Sequence, residues 1–500
     1  MAIFACMLVV PMLAACMNKS GGDSEETRVL RIAYMYGDSS YDDYMRTQYT
    51  DLFQFQHKNI EIELIPAVDW SKQRYQQDPN EPYREPNPVE EMKKLIEGDN
   101  PPDVIIVGYE ELYQLVEENL LMPLDPLIEE DEFDISDMVP AVINGLKEAG
   151  GGKLYALAPT FSGSALIYNK KIFTERGVEP PTDNMTWDQV FDLARRVAHG
   201  EGNDRVYGFS FSQSYWDDLF WGMDMYIAPL GLKVMDDNAE TLLVDSPIWE
   251  QVWTELAALK QEKIFPEPLN YDNTDQPARP LPYDGDAFLS GKLAMAVTSY
   301  SYLTQVIAAN NNAGNMEGFE PIEWDVVTMP VHEEAPDKGG TISMDPILAI
   351  NAKAQNSEDA WEFIKFLNGE DWAELKSRSL NMMVSRKSFI KPQQGLDYNI
   401  AAFYSLTPVR SVMYANNPGL DPQIRQNLWQ VNNIGYQKLM EVINNNKPVA
   451  DALKEWKTEG EAMLKQIREN SGQEPPMQIL PMDGVVTEPA VQVEAEVIVD

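Results

Sequence analysis

Cysteine is nearly absent from this 500-residue chain: Cys6 and Cys16 are the whole supply, and both fall within the first sixteen residues. From Met17 onward there is therefore no disulfide, no cysteine nucleophile and no thiolate metal ligand. Histidine is scarce as well. His57, His199 and His332 lack the close spacing of a zinc pair and read as surface or loop residues, so no metal is expected. Basic residues are outnumbered, 39 against 80 acidic ones, for a formal net charge of −41. Such a surface repels phosphates, which argues against nucleic acid or anionic lipid headgroups as partners. Long apolar runs are missing too: residues 2 to 15, AIFACMLVVPMLAA, are too few to cross a bilayer as a mature helix.

Signatures of catalysis are equally sparse. Phe161-Ser162-Gly163-Ser164-Ala165 lacks the first glycine of a nucleophile elbow, and neither a phosphate-binding P-loop nor a G-x-G-x-x-G turn occurs. Asp236, Asn238 and Glu240 stand at calcium-loop spacing, without the glycine and closing glutamate that such a loop needs. Paired carboxylates for glycoside hydrolysis carry no signal, because 80 acidic residues always offer candidate pairs. The expectation is a protein without cofactor and without turnover.

Five hundred residues, 44% of them apolar, exceed what one hydrophobic core usually organises, so two lobes are expected. Val29 to Tyr34 reads as a strand, residues 41 to 57 as an aromatic-rich helix, and Ile60 to Ile65 as a second strand with Glu61 and Glu63 alternating outward. Asp103 to Val107 is a continuous apolar run, as in a strand covered on both faces. Strand, helix, strand, helix, strand implies a parallel sheet, whose ligands meet the loops at the carboxyl ends of the strands. Those loops begin at Gly37 and at Gly108. Asp78 to Pro88, rich in proline, reads as an exposed insertion.

The densest stretch is Gly150 to Ala198. It holds a glycine turn, a short apolar strand ending at Pro159, a second strand Ala165 to Asn169, and a capped helix. Thr186 stands three residues before Gln189, the spacing of a capping box, and Trp187, Val190, Phe191, Ala194 and Val197 mark the helix's buried face. Beyond it, Val206 to Phe211 and Leu293 to Val297 read as strands. Ile248, Val252, Leu256 and Leu259 form a helix stripe, Ser357 starts a further helix, and two long helices span roughly 422 to 444 and 449 to 469.

The order Gly152-Lys153-Leu154-Tyr155-Ala156-Leu157, Ala165-Leu166-Ile167-Tyr168-Asn169-Lys170-Lys171, Gly177-Val178-Glu179-Pro180-Pro181 and Thr186-Trp187-Asp188 closely resembles the family 1 extracellular solute-binding proteins of carbohydrate ABC transporters, the maltose-binding-protein-like group. Pro102-Asp103-Val104-Ile105, Phe288 to Met295 and Ala360 to Leu367 match in the same order, so the resemblance covers about Arg28 to Arg468. It implies an α/β, two-lobed periplasmic-binding-protein-like fold, each lobe a mainly parallel sheet flanked by helices, with the ligand cleft between them. By position, lobe one comprises 28 to 159 and 345 to 380, and lobe two 160 to 342 and 385 to 470. The crossings near Pro159 to Ser162, Thr341 to Asp345 and Asn381 to Ser385 form the hinge, and closure around a solute is the motion implied. With neither an ATPase motif nor a membrane span, import would require separate permease and ATPase subunits. A monomer is expected.

A sugar ring needs flat aromatic platforms and planar hydrogen-bonding groups. Trp216, Trp221, Tyr300 and Tyr302 are suitable platforms, with core packing open as the alternative for Trp216, Trp221 and Tyr302; Asp38, Glu111 and Asn432 are suitable polar partners. The resemblance places Gly37 and Asp38 in the loop after the first strand, Gly108, Tyr109 and Glu111 in the loop after Pro-Asp-Val-Ile, and Ser162 in a segment crossing between lobes. It also sets Ser299, Tyr300 and Tyr302 after Ala-Met, and Trp221 ahead of the glycine turn at Gly231. Asn432 stands where some relatives carry an aromatic, which puts stacking there in doubt. A non-sugar ligand, a sensor role and, behind these, a surface polysaccharide hydrolase or lyase stay open.

Leu13-Ala14-Ala15-Cys16 resembles the lipobox of bacterial lipoproteins, in which the cysteine is lipidated and becomes the new N-terminus; residues 1 to 16 would be the signal and 17 to 27 a polar tether. No Lys or Arg precedes the apolar run, which fits a start a few residues upstream; an ordinary signal peptide or an initial buried helix stays open. The implied location is the outer face of the cytoplasmic membrane, held by lipid alone. At the other end, residues 471 to 500 form an acidic tail in which Val491, Val493, Ala495 and Val497 alternate, either disordered or adding one strand. Cys16→Ser, expressed with its native upstream start, is expected to move the protein from the membrane fraction to the soluble one; unchanged membrane retention on fractionation would exclude the anchor.

Overall fold

The computed structural model describes residues 27–75, 86–215, 219–268, 283–316, 318–379, 381–414 and 420–471. Cys16 with its leader, nearly all of the tether and the acidic tail, Trp216 and most of the proline-rich insertion lie outside the described residues. The described strands follow the chain as β1 (Arg28–Gly37), β2 (Ile60–Asp69), β3 (Val104–Val107), β4 (Ala156–Leu157), β5 (Thr160–Asn169) and β6 (Tyr207–Ser210). They continue as β7 (Leu293–Ser299), β8 (Trp324–Val327), β9 (Ile342–Met344), β10 (Ile347–Ile350) and β11 (Met383–Val384).

Sheet one has the order β2-β1-β3-β10-β4 and is the basis of lobe one. β1 pairs in parallel with β2 and β3, and the four residues of β3 are all buried, as the unbroken apolar run requires. Glu61 and Glu63 face outward on the edge strand β2, where Glu63 meets Arg31 at 3.1 Å. The helix expected from residue 41 begins two residues earlier, at Ser39, because Asp38 caps it: Oδ1 accepts from Ser40 N at 3.0 Å and Tyr41 N at 3.3 Å. It continues through a π-helical turn, Arg46–Thr50, into Asp51–Gln56.

Sheet two has the order β11-β5-β7-β6, with β8 and β9 also on β5, and is the basis of lobe two. Both sheets depart from the mainly parallel expectation: in sheet one β10 lies antiparallel to β3 and β4, and in sheet two the departure is larger. There only β6 and β7 run parallel; β7, β8, β9 and β11 all lie antiparallel to β5, because β5 enters the lobe against the direction of the strands it organises. The helix Trp187–Val197 carries the capping box in full, with Gln189 N donating to Thr186 Oγ1 at 3.3 Å and Thr186 N to Gln189 Oε1 at 2.9 Å. The helix Pro247–Gln261 is rotated from the expected stripe: Ile248 is exposed, while Trp249 and Trp253 are buried and Trp253 stacks on Trp456 at 5.3 Å. Two indoles bury more apolar surface than one isoleucine, and that difference sets the rotation.

The lobes meet through a narrow ribbon. Thr160 to Gly163, the first part of β5, lie between β9 and β11: Phe161 is in register with both Met344 and Met383, and Ser162 with Ser343. Farther along, β5 pairs with β7 and β8 inside lobe two. The chain does not enter lobe two at Ser385 as expected. Ser385 N donates to Pro159 O, Arg386 Nε to Asn368 O and Lys387 N to Asp137 O, so residues 385 to 387 are held on lobe one; Gln393 is the first to reach Thr304 and Tyr300 in lobe two. One hydrophobic cluster runs from sheet one along the Phe161, Ala165 and Ile167 face of β5, and a second, with Trp187, Phe209 and Trp249, covers the Leu166 face.

Gly163 is constrained by close approach, since a Cβ there would stand 1.9 Å from Phe403 O. Gly163→Ala should therefore cost about 1–3 kcal/mol by overpacking the ribbon and lower the melting temperature. Gly314→Ala, where a Cβ meets nothing within 4 Å, is the control expected to melt like wild type.

Candidate functional site

The strict alternation of β5 makes one wall of the site. Phe161, Ala165 and Ile167 point into core, while Ser162 and Ser164 continue the row of Leu166 and Tyr168 past the edge of the lobe-two core. Directly opposed residues share a face, so Ser343 stands beside Ser162 and Ser299 beside Ser164. Ser164 Oγ lies 2.8 Å from Thr341 Oγ1 and Ser299 Oγ lies 3.0 Å from Ser301 Oγ. The result is a strip of small hydroxyls along the hinge.

Lobe one faces the site with the carboxyl ends of its strands. Gly37 is in register with Asp69, so the two following loops are neighbours. Each starts with a capping carboxylate: Asp38 for the helix Ser39–Met45, and Asp69 for Trp70–Tyr75, accepting from Ser71 N at 2.9 Å. Between the loops lies an aromatic arc. Tyr36 stacks on Trp70 at 6.4 Å with 21° between planes, and Tyr41 meets the same indole edge-on at 6.3 Å. Trp70 is 40% exposed, which leaves ring surface for a ligand. Burial pushes the Tyr41 phenol up, and the Asp345 carboxylate adds to the shift.

At the end of β3, Glu111 folds its carboxylate back over Gly108, within 2.5 Å of where a Cβ would stand. The helix Tyr109–Glu117 starts there. Tyr109 Oη donates to Gly145 O at 2.8 Å, and burial raises its pKa. The neighbouring Glu110 reaches across to lobe two, where its Oε1 accepts from Arg410 Nε at 2.9 Å and its Oε2 pairs with the same guanidinium. Arg410 also lies over the Tyr113 ring, 4.4 Å from its centroid.

A cavity of about 540 Å³ opens around this pair. Tyr109, Glu110 and Glu148 line it from lobe one, Pro229, Lys233 and Arg410 from lobe two, Met344 from β9 and Thr341 from just before that strand. Its size falls among small-molecule sites, roughly 300–1,000 Å³. The lobe-two wall that bears Arg410 is anchored from behind. Val412 N donates to Asp224 Oδ1 at 2.9 Å, and Asn432 Nδ2 donates to Met413 O at 3.1 Å. Burial raises the Asp224 carboxyl.

Of the expected residues, Gly37 and Asp38 stand at the end of β1, Tyr109 and Glu111 in the helix that follows β3, and Ser162 and Ser299 on β5 and β7. The structure removes three expected contacts. Asn432 is fully buried and holds the cleft wall instead of reaching into the cleft. Tyr300 is buried edge-on against Phe403 at 5.9 Å, and Tyr302 is buried with its hydroxyl on Asp286 Oδ2 at 2.8 Å. The reason is the turn after Ser299, which feeds directly into the helix Tyr302–Asn311 and tucks both rings inward. Trp221 is 44% exposed and edge-on to Phe220 at 5.3 Å. Tyr36, Trp70, Glu110, Asp345 and Arg410 were not anticipated. Extending the β1 and β2 pairing to the next turn would have found Trp70. The calcium-like spacing at Asp236 proves to be a turn, with Glu240 N donating to Asp236 Oδ1 at 2.8 Å.

Residues 39–374 match the sequence model of the bacterial extracellular solute-binding protein family. A binding protein of Brucella abortus strain 2308, so named only provisionally, is 24% identical over 319 residues, 61% of this chain and 68% of that protein. A sugar transporter from Rhizobium etli in an open conformation superposes with a TM-score of 0.58 at 18% identity, covering 87% of this chain and 99% of that one. The sugar-binding protein MalE from Xanthomonas citri does so with a TM-score of 0.56 at 15% identity, covering 89% and 100%. At such identities the structural likenesses establish the two-lobed fold.

Glu110 and Arg410 form a direct ionic tie between lobes at this cavity, and both are partly solvated, so screening should weaken them. Glu110→Gln is expected to raise the radius of gyration measured by solution scattering, and high salt should move wild type the same way. Identical profiles for the two proteins at low salt would exclude a role in holding the lobes together.

Proposed function

Because this chain belongs to the bacterial extracellular solute-binding protein family, we propose that it captures a sugar or oligosaccharide between its lobes by hinge closure and delivers it to the permease of an ABC importer. The observation that carries this reading is an aromatic arc of half-buried Tyr36 and Tyr41 with exposed Trp70, together with a strip of hydroxyls at the hinge. Flat rings match the C–H faces of a sugar, and hydroxyls and carboxylates match its rim. Two of the structures that share the fold are named for sugars, which favours this class of solute over others.

The rest of the proposal follows from the same site. No chemistry is asked of it: the protein binds and releases its solute unchanged. Among the described residues no helix is long and apolar enough to cross a membrane, so transport falls to separate permease and ATPase subunits. Lipid on Cys16 would hold the protein, as a monomer, at the outer face of the cytoplasmic membrane.

A thermal-shift screen against neutral mono- and oligosaccharides tests the reading, since a ligand bound only by the folded protein raises its melting temperature. At least one sugar is expected to do so, without being consumed. Trp70→Ala should weaken that sugar by about tenfold, or roughly 1.4 kcal/mol, with little change in the ligand-free melting temperature. Trp221→Ala is expected to act the same way through its exposed face; unchanged affinity would remove Trp221 from the platform. Steady release of reducing ends from any glycan would overturn the assignment.

A further inference from the structure

Asp345 immediately follows β9 at the point where the chain leaves lobe two, and it is fixed to the central strand of the ribbon. Thr160 Oγ1 donates to its carbonyl, and Asp345 N donates to Thr160 O at 3.4 Å. Its charge adds to the burial that raises the phenol of Tyr41, one of the rings of lobe one's aromatic arc. The hydroxyl of Ser343 precedes it on β9, and that of Thr341 stands just before the strand. Asp345 thus stands where hinge, hydroxyl strip and aromatic arc converge.

Several other carboxylates nearby are already engaged. Asp38 and Asp69 cap helices, Asp42 accepts from Tyr34, Glu110 pairs with Arg410, and Asp224 anchors the lobe-two wall. Among the described residues, neither a hydrogen-bond donor nor a cation reaches the side chain of Asp345. Surrounding protein still raises its carboxyl, with burial as the sole cause, although the residue remains open to solvent. Water can satisfy such a group while the cleft is open. Closing the lobes removes that water, and an unsatisfied carboxylate in a closed cleft is costly, so the entering solute must supply donors.

We propose that Asp345 is a ligand-binding residue of the cleft, whose two oxygens accept paired hydrogen bonds from adjacent donors on a ring stacked against Tyr41 and Trp70. This rests on the saccharide reading above and narrows it to rings carrying two neighbouring donors. Vicinal hydroxyls of a neutral sugar and the hydroxyl and ammonium of an amino sugar share that chemistry. Its geometry suits a carboxylate, which takes two parallel donors as a fork.

The test uses the full chain and Asp345→Asn, which keeps shape and one acceptor while losing charge and the second acceptor. Calorimetry is run with maltose, cellobiose, trehalose and the disaccharide of glucosamine. Any probe that binds wild type is expected to bind Asp345→Asn about tenfold or more weakly, with the ligand-free melting temperature unchanged or higher. Loss confined to the neutral disaccharides identifies the vicinal-hydroxyl source; loss confined to the glucosamine disaccharide identifies the ammonium. Binding by wild type with affinity retained to within about twofold in the variant removes this inference and leaves the saccharide reading standing. A ligand-free melting temperature several degrees lower in the variant assigns Asp345 to the fold and also removes the inference. Failure of wild type to bind any of the four removes both.

Discussion

The strand Thr160–Asn169 is the constraint on which the rest of this molecule depends. Over its first residues it is the middle strand of the ribbon joining the lobes, and over its remainder it is the strand around which sheet two is assembled. A strand with hydrogen-bonded partners on both sides has little freedom to slip, because a shift of one residue would exchange its core face for its solvent face. The register therefore holds Phe161 inward and Ser162 outward together. It follows that the polar lining of the cleft and the continuity of the hydrophobic core are two consequences of one alternation.

Around that strand the cleft is made of parts with unequal support. The lobe-one wall is built from helix caps, so Asp38 and Asp69 are held by backbone N–H groups of their own helices and their loops need little from elsewhere. The lobe-two wall near Arg410 is irregular chain, and it relies on Asp224 and Asn432 behind it. Asn432 is fully buried and Asp224 half-buried, and each has a specific partner, the arrangement by which a loop without ladder hydrogen bonds can still hold a defined shape.

Much of this was legible in the residues because it is local. The capping box at Thr186, the buried run of β3 and the loops at Gly37 and Gly108 each depend on a few neighbouring side chains, and they stand where periodicity and capping chemistry put them. What was not legible depends on distant partners. Nothing near Tyr302 announces that Asp286 will receive its hydroxyl, and nothing near Asn432 announces Met413. The aromatic arc hid for a related reason: Tyr36 and Trp70 are brought together only by the register of β1 on β2. Sheet two was misread in direction because a strand's neighbours are not written in its own sequence. The last passage between lobes was misplaced because Arg386 first turns back to bond Asn368.

The ion pair between Glu110 and Arg410 occupies the same cavity that a solute would enter. An incoming molecule that needs either side chain must first exchange an existing contact for a new one, and only the difference between the two contributes to its affinity. Small solutes that offer one or two weak hydrogen bonds would gain nothing from that exchange, whereas a larger one that also covers the aromatic arc would. The pair would then act as a threshold, setting a minimum size for what the protein retains.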